Sequence, residues 1–121
     1  MLRQELSREV ENYKTLQGEI QRYITTHSQL QSQVNENEMV LEELTRLSDD
    51  ANVFKMIGPA LVRQDLVEAK SNVNKRIEYI KGEINRMDTN IKIAQGKAKE
   101  RESEIMAKQG KLEKLEGKVE A

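Results

Sequence analysis

The residues that could carry chemistry in this chain are few and scattered. There is one histidine, His27, and no cysteine or tryptophan among 121 residues. Without thiols there are no disulfides and no thiolate metal sites. His27 has no second histidine, cysteine or fixed acidic cluster beside it, so it reads better as a polar residue set into an apolar helix stripe than as a metal ligand or pH switch. Gly82, Gly96, Gly110 and Gly117 fall outside the apolar positions and form no loop that could cradle a phosphate. No nucleophile is paired with a base. The sequence predicts no enzyme, no catalytic or metal residue and no cofactor. What remains is the burial of apolar surface, and two patterns serve it.

The first pattern is a pair of heptad ladders. Leu6, Tyr13, Ile20, His27, Val34 and Leu41 lie seven apart, accompanied by Leu16, Tyr23, Leu30 and Leu44. In the second half Ile77, Ile84, Ile91, Ala98, Ile105, Leu112 and Val119 do the same, accompanied by Leu66, Val73, Ile80, Met87, Ala94 and Leu115. A repeat of 3.5 residues per turn held this long predicts helices wound around a partner. Glu9, His27 and Asn37 interrupt the first stripe; polar seam residues of this kind weaken a coiled coil and fix its register. In the second stripe Arg101 and Lys108 intrude, with Glu9 and Glu11 as possible partners.

Composition agrees. Charged residues make up 34% and aromatics 3%, too polar to fill a globular core but sufficient for a seam that needs two apolar positions in seven. Disorder is the competing reading of so charged a chain, and the sustained register opposes it. Residues 1–50 hold five Arg/Lys against ten Asp/Glu, a net of -5; residues 51–121 hold fifteen against eleven, a net of +4. An acidic half and a basic half favour pairing with each other over self-pairing. The basic half is not a nucleic-acid surface, because its lysines alternate with glutamates and no aromatic platform is interleaved. Arg3, Glu5, Arg8 and Glu9 oppose a secretory signal. No apolar run reaches the roughly 20 residues needed to span a bilayer, so a soluble intracellular protein is expected.

The second pattern is central. Val53-Phe54-Lys55-Met56-Ile57 and Ala60-Leu61-Val62-Arg63 flank Gly58-Pro59, which predicts a β-hairpin. Pro59 also forbids a helix running through. The expected organisation is a helix over 1–47, a hairpin over 53–63 and a helix over 65–121 opening at an Asp65 cap, together one domain. Two long helices joined so tightly must return antiparallel, with Leu41 near Val73 and Leu6 near Ala107. Two strands, apolar on both faces, are marginal alone in water. Either they pack locally on the helix stems, or strands of other chains complete a sheet or barrel. At the opposite end, Leu2, Leu6, Leu112, Leu115 and Val119 leave apolar surface where the pairing is weakest. Such an end could hold another chain's exposed apolar segments, or simply fray.

The run Asn52-Val-Phe-Lys-Met-Ile-Gly-Pro-Ala-Leu-Val-Arg-Gln-Asp-Leu-Val-Glu-Ala-Lys70, followed by Asn72-Val-Asn-Lys-Arg-Ile-Glu-Tyr-Ile80, resembles the β-class subunits of prefoldin. A single strand pair matches that class, and no motif departs from its pattern. The resemblance implies a mainly α fold: a long antiparallel two-helix coiled coil joined by a hairpin that enters an intersubunit β-barrel. It implies a cytoplasmic heterohexamer of two α-class and four β-class subunits, so three further β-class partners. The family is an ATP-independent co-chaperone that captures non-native actin- and tubulin-like clients and delivers them to the cytosolic group II chaperonin, with no nucleic acid or membrane. Assembly would then fall on Val53, Phe54, Met56, Ile57, Leu61 and Val62, and client contact on Leu2, Leu6, Tyr13, Leu112, Leu115 and Val119. A coiled-coil scaffold or tether without clients is the other reading.

Overall fold

The computed structural model describes the backbone of residues 1–120 and the side chains of residues 1–117. The elements run α1 (Leu2–Arg46), β1 (Val53–Ile57), β2 (Ala60–Gln64) and α2 (Leu66–Glu120). Two long helices joined by a short antiparallel hairpin are what the heptads and the Gly-Pro break predict. The helix ends have local causes. The Met1 carbonyl accepts the Glu5 amide at 3.0 Å and the Asp65 carbonyl accepts the Ala69 amide at 2.8 Å, which makes these two residues the half-in positions that open α1 and α2. α1 tightens at its end, where Leu47 donates to the Leu44 carbonyl. The Ser48 hydroxyl then donates to Asp50 Oδ1 at 2.7 Å and stops the helix in a turn.

The strands pair Val53 with Gln64 through Ile57 with Ala60, leaving Gly58 and Pro59 as a two-residue turn. Gly58 has φ 59°, the positive value that a type II′ turn demands at its first central position. A Cβ there would meet nothing within 4 Å, so the demand is conformational rather than steric. Pro59 supplies a fixed negative φ and needs no amide donor at the tip.

The chain divides into two compact units. In His27–Arg86 the core is Val34, Ile77 and Ile80, with Leu30, Leu41, Val73 and Ile84 packed against it. Leu41 and Val73 thus meet in one cluster, as helices returning antiparallel require. Val34 is only 2% exposed. In Met1–Thr26 with Met87–Ala121 the core is Ile20, Ala94 and Ala98, flanked by Tyr13, Leu16 and Tyr23. Each core is a narrow seam, and among the described residues no large side chain is sealed off completely. Along both helices the described ladder residues are buried or half-buried, Leu115 excepted.

Candidate functional site

The first candidate surface is the hairpin, within His27–Arg86. Alternation puts Phe54 and Met56 on one face with Leu61 and Arg63, and Val53, Lys55 and Ile57 on the other with Ala60, Val62 and Gln64. Both faces are open. Met56 is 73% exposed, Leu61 67%, and Phe54, Ile57 and Val62 are exposed as well; Val53 and its strand partner Gln64 are half-buried. The helix stems therefore do not enclose the strands, which removes the local mini-core as a home for them. Five large apolar side chains on two residue runs form a patch far beyond the scattered apolar exposure normal for a surface. Beneath one side lies a groove of ≈ 400 Å³, lined by Val40, Leu44, Val53, Phe54, Val73 and Arg76 among others. Sequence reasoning missed Val40 and Arg76, since both stand beside the seam positions. In the turn after α1, the hydrogen bond from Ser48 holds the Asp50 carboxyl below its ordinary range.

The second candidate surface lies within Met1–Thr26 with Met87–Ala121. A groove of ≈ 380 Å³ brings Leu6 together with Leu112, joined by Val10 and Gln109 and edged by Arg3 and Lys14. Leu2, half-buried, and Leu115, 52% exposed, do not line it. Tyr13 is not there either: it packs against the Ile20–Ala94–Ala98 core, and its hydroxyl accepts a hydrogen bond from Gln17 at 2.8 Å. Val119 lies outside the described side chains. Val10 and Gln109 were missed, although Val10 follows Leu6 by four residues and so shares its helix face.

Interhelical ion pairs in this unit include two near the helix ends. Arg3 bonds Glu116, and Lys108 Nζ donates to Glu9 Oε1 at 2.5 Å. Of the two acids the sequence offers to the basic seam residues, Glu9 is the one Lys108 takes. The pair is part of the seam: the side chains are 30% and 19% exposed, and Glu9 Oε2 is buried with no hydrogen-bond partner. The Glu9 hydrogen bond raises the lysine's pKa against the opposing effect of burial, helped by the charges of Glu9, Glu5 and Glu104. Among the described residues no group of three or more His, Cys, Asp or Glu could hold a metal ion, and no helix is long and apolar enough to cross a membrane.

With both surfaces located, comparison decides the family. The model of the family described as "Prefoldin subunit" matches residues 7–112. The chain belongs to the prefoldin family. It is 51% identical over 88 residues to prefoldin subunit 6 of Arabidopsis thaliana, covering 69% of this chain and 68% of that protein. To prefoldin subunit 6 of Homo sapiens it is 38% identical over 92 residues, covering 76% and 71%. The fold matches the crystal structure of the prefoldin beta subunit from Thermococcus strain KS-1 with a TM-score of 0.80 over 85% of this chain and 90% of that one, at 22% identity. The single hairpin agrees with a β-class prefoldin chain, and the similarity to subunit 6 runs through the central hairpin sequence. Prefoldin membership supports a co-chaperone role and implies assembly with other prefoldin subunits.

Proposed function

We propose that this chain is a single-domain subunit of a cytoplasmic prefoldin heterohexamer, one of four β-class subunits around two of the α class. The observation that carries this reading is the hairpin. Its strands leave apolar side chains on both faces and unpaired backbone on both edges, a state that other strands can complete and water cannot. Val53, Phe54, Met56, Ile57, Leu61 and Val62 would supply the two apolar faces of the strands that enter an intersubunit β-barrel. The helix ends then stay free to hold non-native chains. Leu6, Val10 and Leu112, gathered into one groove that Arg3, Glu11 and Lys14 also line, suit transient contact with exposed hydrophobic segments; Leu2, Leu115 and Val119 would extend it. Tyr13 would support the groove from the seam. Holding needs no nucleotide, because the binding free energy comes from apolar burial alone. Actin- and tubulin-like chains would be the clients, and the cytosolic group II chaperonin would receive them.

Removing residues 1–8 and 112–121 tests the client surface. The assembled hexamer should keep its mass and lose most of its ability to suppress, without nucleotide, the aggregation of an unfolded protein. Undiminished suppression by the trimmed hexamer would leave a scaffold or tether as the better reading.

A further inference from the structure

We propose that Glu9 and Lys108 form a register lock, a polar seam pair that selects one alignment of the two helix segments and thereby builds the groove at their ends. Both residues stand on mostly apolar lines of the ladder, Glu9 with Leu16, Tyr23, Leu30 and Leu44, and Lys108 with Val73, Ile80, Met87, Ala94 and Leu115, so apolar packing alone would favour replacing them. They meet at 2.5 Å with most of both side chains removed from water. The second oxygen of Glu9 has no partner, so Lys108 is the carboxylate's one described hydrogen-bond donor. A buried charge that loses such a partner is strongly destabilising, and this penalty makes alternative alignments unfavourable.

The neighbouring seam shows why a lock is needed. Ala94 and Ala98 fill the core opposite Ile20, and alanines give little shape to hold one register against another. A coiled coil with a seven-residue repeat can slide by one heptad and still match apolar positions. Sliding α2 in one direction would carry Lys108 to the level of Leu16 and leave Glu9 facing Leu115, stranding both charges. Sliding it in the other would give Glu9 to Arg101. That shift would strand Lys108 beside Leu2 and separate Arg3 from Glu116, which are paired in the observed register. Only the observed register satisfies both pairs. The groove depends on it, because Leu6 and Val10 come from α1 whereas Gln109 and Leu112 come from α2.

The chain has no cysteine, so introduced ones report the register directly. The full-length chain, in its assembled state, would carry Leu16→Cys with Ala98→Cys for the observed alignment, since both residues border the same core. Leu16→Cys with Ile105→Cys or with Ile91→Cys reports a slide of one heptad in either direction. In the parent only the first combination should form an intrachain disulfide in high yield. Adding Glu9→Leu and Lys108→Leu should keep the helix content and let a slipped combination cross-link in comparable yield. The exchanged pair, Glu9→Lys with Lys108→Glu, should restore the single product. Cross-linking that stays confined to 16/98 in the Leu/Leu protein, or an exchanged pair that fails to restore it, would overturn the proposal.

Discussion

At the scale of single residues, one substitution has opposite signs at two glycines. Gly58 sits at φ 59° in the hairpin tip, a conformation that costs an L-residue about 1–2 kcal/mol. Gly96 lies in the exposed interior of α2, where a Cβ would meet nothing within 4 Å. There alanine is about 1 kcal/mol better than glycine for the helix. Gly58→Ala should therefore lower the thermal midpoint and Gly96→Ala should raise it, both measured by circular dichroism on the assembled protein. Equal effects of one sign would mean that the turn does not impose its backbone on the chain.

Lys108 gives a second residue-scale prediction. Its pKa is raised in the folded chain, first by the hydrogen bond to Glu9. The protonated lysine is thus favoured by folding, and the contribution is complete below the ordinary lysine value of 10.5. As pH climbs past that value and through the elevated folded one, the contribution disappears. The difference in thermal midpoint between parent and Lys108→Met should be flat from neutral pH to about 10 and shrink above it. A difference that shrinks toward acid instead would assign the stabilisation to another group.

At the scale of elements, Val34 tests the seam. It is 2% exposed and anchors the cluster with Ile77 and Ile80. Val34→Ala removes two buried methyl groups from a site the flanking helix cannot collapse around, and should cost about 1–3 kcal/mol in denaturant unfolding. The same substitution at Val67, 73% exposed on α2, should stay within about 0.5 kcal/mol. A Val34→Ala effect as small as the Val67 one would show that heptad burial does not hold the helices together.

That seam was legible from the sequence because its period is a property of the helix itself. Ile20, Val34, Ile77, Ile80 and Ala98 all lie on the ladder and all are buried. The hairpin was legible for a similar reason, since Gly58-Pro59 admits few backbone conformations and Val53–Ile57 alternates around it. The choices made outside the seam were not legible. Glu9 and Glu11 are equally acidic, and only the rotation of α1 decides that Lys108 reaches the former. Val10, Val40, Arg76 and Gln109 line grooves from positions flanking the ladder, where the repeat constrains the side chains least. Tyr13 stands on the ladder like Leu6, yet its ring turns to the Ile20 core. Heptad spacing gives the stripe and not the rotamer.

At the scale of the whole molecule, the exposed hairpin separates the folding of the chain from its assembly. Phe54, 55% exposed, and Leu61, 67% exposed, contribute little to the seams of this chain, so a polar residue at either position leaves the helices with their partners. In a sheet completed by neighbouring strands the same position would bury an aspartate with no counter-ion. Truncating such an apolar anchor costs about 2 kcal/mol or more in an interface, and an unpaired buried charge costs more again. Phe54→Asp with Leu61→Asp should thus keep the far-ultraviolet helix signal while native mass spectrometry shows the subunit missing from the complex. Met106→Asp is the matched control: it is 65% exposed, lies outside His27–Arg86 and should leave the complex mass unchanged. If the hairpin variant still enters a complex of parental mass, the strands are not the assembly surface, and their apolar faces must be covered by something other than sister subunits. If the control is also excluded, loss of the complex reflects added charge rather than a lost sheet. Exclusion of the hairpin variant alone would tie assembly to the strands, whose apolar faces the helices of this chain leave open.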